Sequence, residues 1–435
     1  MLQSNQSFAT VAPDEILSAL HAFLDALSYR ILEVDAGDAH GPIALAAGET
    51  GVALVMRRGT HPVGFAMVEA APGATISARA IERAVAAECA DTILRSAIRD
   101  SLAPIDPTAP LPTLTLAICT KDRPDLLVRC LHSIARVRDA SPHRETLVEV
   151  LVIDNAPSDD RTARVVAATG WARRCLDPRA GLDFARNTAW REARGDYVAY
   201  VDDDAVIDAG WLEGFAAACR RHPDAGAFTG LVLPLALETE AQIQFERRGG
   251  FRRGFASRRY AGEALDGNVC FPAGAGSFGA GCNMIIRRDL LARIGGFDEA
   301  LDTGRPLPGG GDLDIFYRVI RSGMPLVYEP GILVFHEHRR TMEGLRRQYY
   351  TWGLGFFAFL VKTWRTDRGQ RGKLVKLSFW WAADQLRTAT RAVLGRGSSR
   401  LDHTVAEMWG AVVGLFGAYG RSTRRSARIR AAHQR

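Results

Sequence analysis

The chain has 435 residues, 47% of them hydrophobic and 24% charged. That is an ordinary globular balance, and it excludes the disordered, collagenous and coiled-coil classes. The formal net charge of +6 hides an asymmetry: the last 100 residues, from His336 onward, hold 20 of the 55 Lys and Arg but only 6 of the 49 Asp and Glu. A mildly acidic body is thus followed by a basic tail suited to an anionic surface, or to a solvated helical face. Seven cysteines without a CxxC pair or a Cys/His cluster argue for reduced thiols rather than a disulfide framework or structural zinc. The opening residues lack the basic and apolar regions of a secretory signal. No apolar stretch reaches the roughly 20 residues of a spanning helix. A cytoplasmic protein, not integral to a membrane, is expected.

In chain order, residues 1–100 predict a small α+β accessory module for acceptor handling or self-association. The stripe Ile16, Leu17, Leu20, Phe23, Leu24, Leu27 has helical spacing. Two apolar runs, Val52–Met56 and Pro62–Val68, flank a turn-rich stretch and predict a β-hairpin. A second stripe, Ile81, Val85, Ile93, Leu94, Ile98, predicts another helix. Four prolines in residues 101–112 mark 101–111 as a linker.

From Pro112 strands and helices alternate, the grammar of an α/β sheet with a Rossmann-like start. Residues 114–120 read as a strand, and the helix after it takes Asp122 as its N-cap. Residues 148–156 form a near-continuous apolar run, the mark of a parallel strand covered on both faces. A helix over 182–193 and a buried strand over 196–201 follow. The carboxylates Asp122, Asp154, Asp202, Asp203 and Asp204 gather at strand ends, where open α/β sheets place their ligand crevice. Asp202 and Asp204, two residues apart in extended chain, point the same way. Three adjacent carboxylates repel one another unless a cation offsets them, and hard oxygen ligands suit Mg²⁺ or Mn²⁺ carrying a phosphate. Arg186, near a helix start, is placed for phosphate, or pairs with Asp183 at the surface.

Across residues 112–340 the order AICTKDRPDLL, VLVIDNAPSDD, GLDFARNTAWREARGDYVAYVDDDA, GAGCNMIIRRDLLARIGGFDE, PGGGDLDIFYRVIRSG and FHEHRR resembles the inverting, family-two glycosyltransferases of the GT-A fold. The resemblance implies transfer of a sugar from a nucleotide-diphosphate sugar, UDP-sugar by default, to an acceptor hydroxyl in polysaccharide, glycolipid or other glycoconjugate synthesis. It implies a mostly parallel nucleotide-binding sheet, with Thr120, Asp122, Arg123, Asp154, Arg186, Asp202, Asp203, Gly281 and Asn283 around the donor. Asp202, Asp204, His336 and His338 would hold or border Mn²⁺ or Mg²⁺. Inversion needs a general base on the far side of the sugar. Asp312 is assigned that role, with Asp314 capping its helix or pairing with Arg318. The family usually carries Glu-Asp here; Gly311 replaces the Glu, so one acid is missing.

Residues 341–435 predict a basic, aromatic-rich helical region. Its arginines and aromatics suit peripheral contact with an anionic membrane on its cytoplasmic face; the alternatives are packing on the catalytic domain or a homodimer interface. A rival enzyme class, a sugar-phosphate nucleotidylyltransferase, would want a Gly-rich basic loop after the first strand, and CTKDRPD has no glycine. The intact acids argue against a non-catalytic nucleotide-sugar-binding or scaffold protein, and no nucleic-acid module is recognisable.

Overall fold

The computed structural model describes residues 28–262, 268, 270–397 and 399–433. The helix expected over 16–27 lies outside them. Strands β1 (Tyr29–Asp35), β2 (Gly51–Arg58) and β3 (His61–Glu69) form a three-stranded sheet, in which β2 and β3 are the expected hairpin. Successive side chains of β2 alternate between its two faces. Val52, Leu54 and Met56 meet Ile81, Val85 and Cys89 of helix α1 (Ala78–Leu102), while Ala53 and Val55 face the main core. Arg57 at the end of β2 bridges Glu33 and the buried Asp208, locking this sheet to the body.

The central sheet begins with β4 (Leu114–Thr120), β5 (Leu147–Asn155), β6 (Ala172–Asp177) and β7 (Tyr197–Asp202), parallel and ordered β6-β5-β4-β7. Helix α2 (Pro124–Ala140) and helix α3 (Arg161–Thr169) cross between them, as parallel strands require. Beyond β7 the sheet continues through strands β8 (Ala205–Ile207), β9 (Ala227–Pro234), β10 (Arg258–Tyr260), β11 (Asn283–Arg287) and β12 (Leu326–His336). Here β11 runs antiparallel to both β7 and β9, and β12 parallel to β9. Large apolar clusters cover both faces, which is why β4, β5 and β7 read as unbroken apolar runs.

Helix α4 (Leu182–Glu192) precedes β7, and helix α8 (Gly311–Arg321) precedes β12; helices α5 (Trp211–Arg221), α6 (Glu240–Arg247) and α7 (Arg288–Ile294) fall between. The basic tail forms helices α9 (Met342–Thr366), α10 (Arg371–Val393), α11 (Leu401–Val413) and α12 (Tyr419–Ala432). Helix α9 packs Leu345, Tyr349, Leu354, Phe357 and Phe359 inward. Helices α9 and α11 touch backbone to backbone: a Cβ on Gly353 would lie 1.9 Å from the Glu407 carbonyl, and one on Gly410 2.0 Å from that of Tyr350. No described helix is long and apolar enough to cross a membrane.

Candidate active site

Strand register brings the acids to one edge. Thr120 lies beside Asp154, and Cys119 beside Asp202, at the carboxyl ends of β4, β5 and β7. A cleft of about 970 Å³ opens beside Asp202 at the end of β7, walled on its far side by α9 and α10. Of the expected residues, Arg186, Asp202, Gly281, Asp312 and His336 line it. Thr120, Arg123, Asp203 and Asp204 form a network beside it.

That network is internally paired. Arg123 donates to Asp203 at 2.6 Å and to Asp204 at 3.2 Å, and the Thr120 hydroxyl donates to Asp203 at 2.7 Å. Burial pushes the Asp203 carboxyl up to about 6, only partly offset by Arg123 and Thr120. Burial would push Asp204 up as well, but His336, 3.2 Å away, and Arg123 outweigh it and hold that carboxyl well below the usual range. Asp202 stands apart. Burial and the neighbouring Asp204 charge raise its carboxyl, and among the described residues no Lys, Arg or His forms an ion pair with it.

On the cleft floor the Arg186 guanidinium reaches Asp183 at 3.0 Å and Asp302 at 3.5 Å. The pairing with Asp183 holds, but Arg186 is buried rather than a surface residue. Gly281 is wedged between Asp312 and Arg186: a Cβ there would lie 3.1 Å from the Asp312 Cβ and 3.2 Å from the arginine. Asp312 sits in the first turn of α8, its Oδ1 accepting from the Leu313 N–H at 2.9 Å. Gly310 just before it has φ +103°, and a Cβ there would press within 2.8 Å of the Gly355 carbonyl of α9. Only glycine meets both demands. Asp314 is fully buried and paired with Arg318 at 2.7 Å and with Lys362. The acid missing at 311 has a counterpart from another helix: a Cβ on Gly311 would lie 2.2 Å from Oδ2 of Asp183.

Several expectations meet different surroundings. Asp122 is not the N-cap of α2; it has φ +54° and its carboxylate accepts from the Ser158 N–H at 2.8 Å, tying two loops together. Asp154 is fully buried and pairs with Arg174, 2.7 Å away. Asn283 is sealed in the core, donating to the Leu231 and Ile332 carbonyls at 3.0 and 2.7 Å and facing Trp211. His338 lies beyond β12, 2.8 Å from Glu246 and between the rings of Phe245 and Phe251. It is held there by packing rather than aimed at the acids.

Cation-ligand chemistry gathers instead on Asp202, Cys282 and His336, whose ligand atoms lie within 4.8 Å of one another. Among the described residues the Nδ1 of the buried His336 has no hydrogen-bond partner, and a divalent ion fits this set of donors. Cys282, Arg253, Asp302 and the α9 and α10 side chains also line the cleft. In the sequence Cys282 stands out only as the residue between Gly281 and Asn283. Loops and two distant helices supply the rest, and no local spacing announces them.

Residues 115–295 match the family model described as Glycosyl transferase family 2. It is 27% identical over 177 residues to a pre-mycofactocin glycosyltransferase of Mycobacterium tuberculosis, covering 39% of this chain and 33% of that protein. It is 23% identical over 278 residues to glycosyltransferase AglE of Haloferax volcanii, covering 63% and 81% of the two. The structure of a Pyrobaculum calidifontis mannosyltransferase in complex with GDP-Man and Mn²⁺ aligns over 80% of this chain at 20% identity, with a TM-score of 0.43.

Proposed function

We propose that the protein is an inverting glycosyltransferase that moves a sugar from a nucleotide-diphosphate sugar to an acceptor hydroxyl in glycoconjugate synthesis. The observation that carries this reading is the convergence of Asp202, Arg186 and Asp312 on one cleft at the carboxyl edge of a family-two domain. Asp202 and His336 would hold a divalent cation, which when bound neutralises charge developing on the diphosphate leaving group. The Arg186 guanidinium, fixed by two acids, would meet phosphate oxygens. Asp312, with one oxygen turned from its own helix, takes the proton of the acceptor hydroxyl. The wall of Trp352, Phe356, Trp380 and Trp381 suits an acceptor with sugar rings or an apolar carrier.

We further infer a division of labour: residues 28–100 buttress the domain, 112–340 do the chemistry, and the tail completes the acceptor side. Phe379, Trp380, Trp409 and Phe416 are 74, 57, 61 and 70% exposed on that tail, which supports peripheral contact with a membrane surface. A thermal-shift screen of UDP-, GDP- and dTDP-sugars with Mn²⁺ or Mg²⁺, repeated with EDTA, tests the main reading. Stabilisation by one sugar nucleotide that vanishes with EDTA and in Asp202→Asn is expected. Transfer activity indifferent to both would overturn it.

A further inference from the structure

We infer that Cys282 supplies a sulfur ligand to the cation site beside Asp202 and His336, so that the site favours borderline-soft ions such as Zn²⁺ and Co²⁺ over Mg²⁺. This deepens the cation role proposed above and rests on it.

The placement is built into the sheet. In the antiparallel pairing of β11 with β7, Asn283 lies opposite Val201. One step further along, Cys282 comes opposite Asp202. His336 arrives from the end of β12, and the three ligand atoms fall within 4.8 Å of one another. Three separate elements therefore present three different donor types to one point. The second observation is on the imidazole: His336 is 7% exposed, its Nε2 faces Asp204 at 3.2 Å, and its Nδ1 has no hydrogen-bond partner among the described residues. A buried polar atom left so is costly unless something binds it.

Arg123 occupies Asp203 and Asp204, whereas Asp202 has no cationic partner within ion-pair distance among the described residues. The cleft reaches Asp202, Cys282 and His336 alike, so an ion can enter. A carboxylate, an imidazole and a thiolate make a three-ligand set with an open position, the pattern of zinc-type rather than magnesium sites. The sulfur–metal bond forms as the thiol proton leaves to solvent. Mg²⁺ demands oxygen ligands in near-octahedral array and gains little from sulfur.

The test uses the full chain and Co²⁺ alone, without sugar nucleotide. Addition of Co²⁺ should produce a near-ultraviolet sulfur-to-cobalt charge-transfer band together with visible d–d absorption. Cys282→Ser should erase the ultraviolet band while weaker cobalt binding persists through Asp202 and His336. Its Co²⁺ affinity should fall by about tenfold or more, on the scale of losses seen when a ligand sphere is disturbed. Asp202→Asn, which leaves the thiol untouched, should remove the band as well. In the unaltered protein, stoichiometric Zn²⁺ should bleach the band and a large excess of Mg²⁺ should not. No band at all, a band that survives Cys282→Ser, or ready displacement by Mg²⁺ would each overturn the inference. A missing sulfur band leaves the glycosyltransferase reading standing, and failure of sugar-nucleotide binding leaves the cobalt readout intact.

Discussion

At the scale of single residues, Asp312 and Asp314 divide two tasks that look alike in sequence. Asp312 faces the cleft, while Asp314 is sealed against Arg318 and Lys362. Asp312→Asn should lower turnover about 10²-fold or more with donor affinity little changed, since general-base catalysis contributes roughly 10² to 10⁴. Asp314→Asn should instead cost about 3–5 kcal/mol of stability, because it breaks a buried ion pair and strands Lys362. Paired kinetics and urea unfolding check both; an inactive, stable Asp314→Asn beside an active Asp312→Asn would reverse the assignment. Asp183 carries a pH signature. Burial raises its carboxyl from 3.8 to about 7, against the pull of Arg186. The folded state then binds more protons than the unfolded one between those values, so this group's stabilisation is lost as pH rises from about 4 to about 7. Asp183→Asn should flatten that part of the stability profile, measured by denaturant midpoints across the range.

At the scale of elements, the contact of α9 with α11 depends on absent side chains. Gly410 meets the Tyr350 carbonyl and Gly414 that of Leu354, a Cβ there falling within 2.0 and 2.5 Å of them. Even one methyl must force the helices apart. Gly410→Ala should therefore cost about 1–3 kcal/mol, as overpacking does. Gly420→Ala, with open space around it, should be neutral or slightly stabilising in the same thermal scan. Because α9 and α10 wall the cleft, the Gly410 variant should also weaken acceptor use more than donor binding. A loss confined to donor binding would argue that these helices serve the other side.

At the scale of the whole molecule, the tail has two faces. Tyr349, Phe357 and Phe359 are core, whereas Phe379 on the basic helix α10, Trp409 on α11 and Phe416, just before the arginine-rich α12, stand in solvent. Basic residues near an anionic leaflet contribute about 1 kcal/mol each, screened within a Debye length. Sedimentation with anionic liposomes at low salt should pull the protein down, and high salt or neutral lipid should release it. Equal recovery in the supernatant under all conditions would leave those aromatics to a second copy or another protein.

What depends on local pattern is legible along the chain. Apolar runs of strand length, a hairpin turn at 57–61, and acids at or just past the ends of the runs at 114–120, 148–156 and 196–201 announced an α/β sheet with a reactive edge. Parallel strands end their hydrogen-bond ladders together, so strand-end acids must meet there. Tertiary structure alone decided which acids face the cleft, because burial and partner choice depend on residues far along the chain. Arg174 covers Asp154, Glu246 draws His338 aside, and Arg123 neutralises Asp203 and Asp204. Asp183, from another helix, fills the space beside Gly311, and the antiparallel register of β11 sets Cys282 against Asp202. Each of these is a meeting across tens to more than a hundred residues, set by packing that no spacing within a motif encodes.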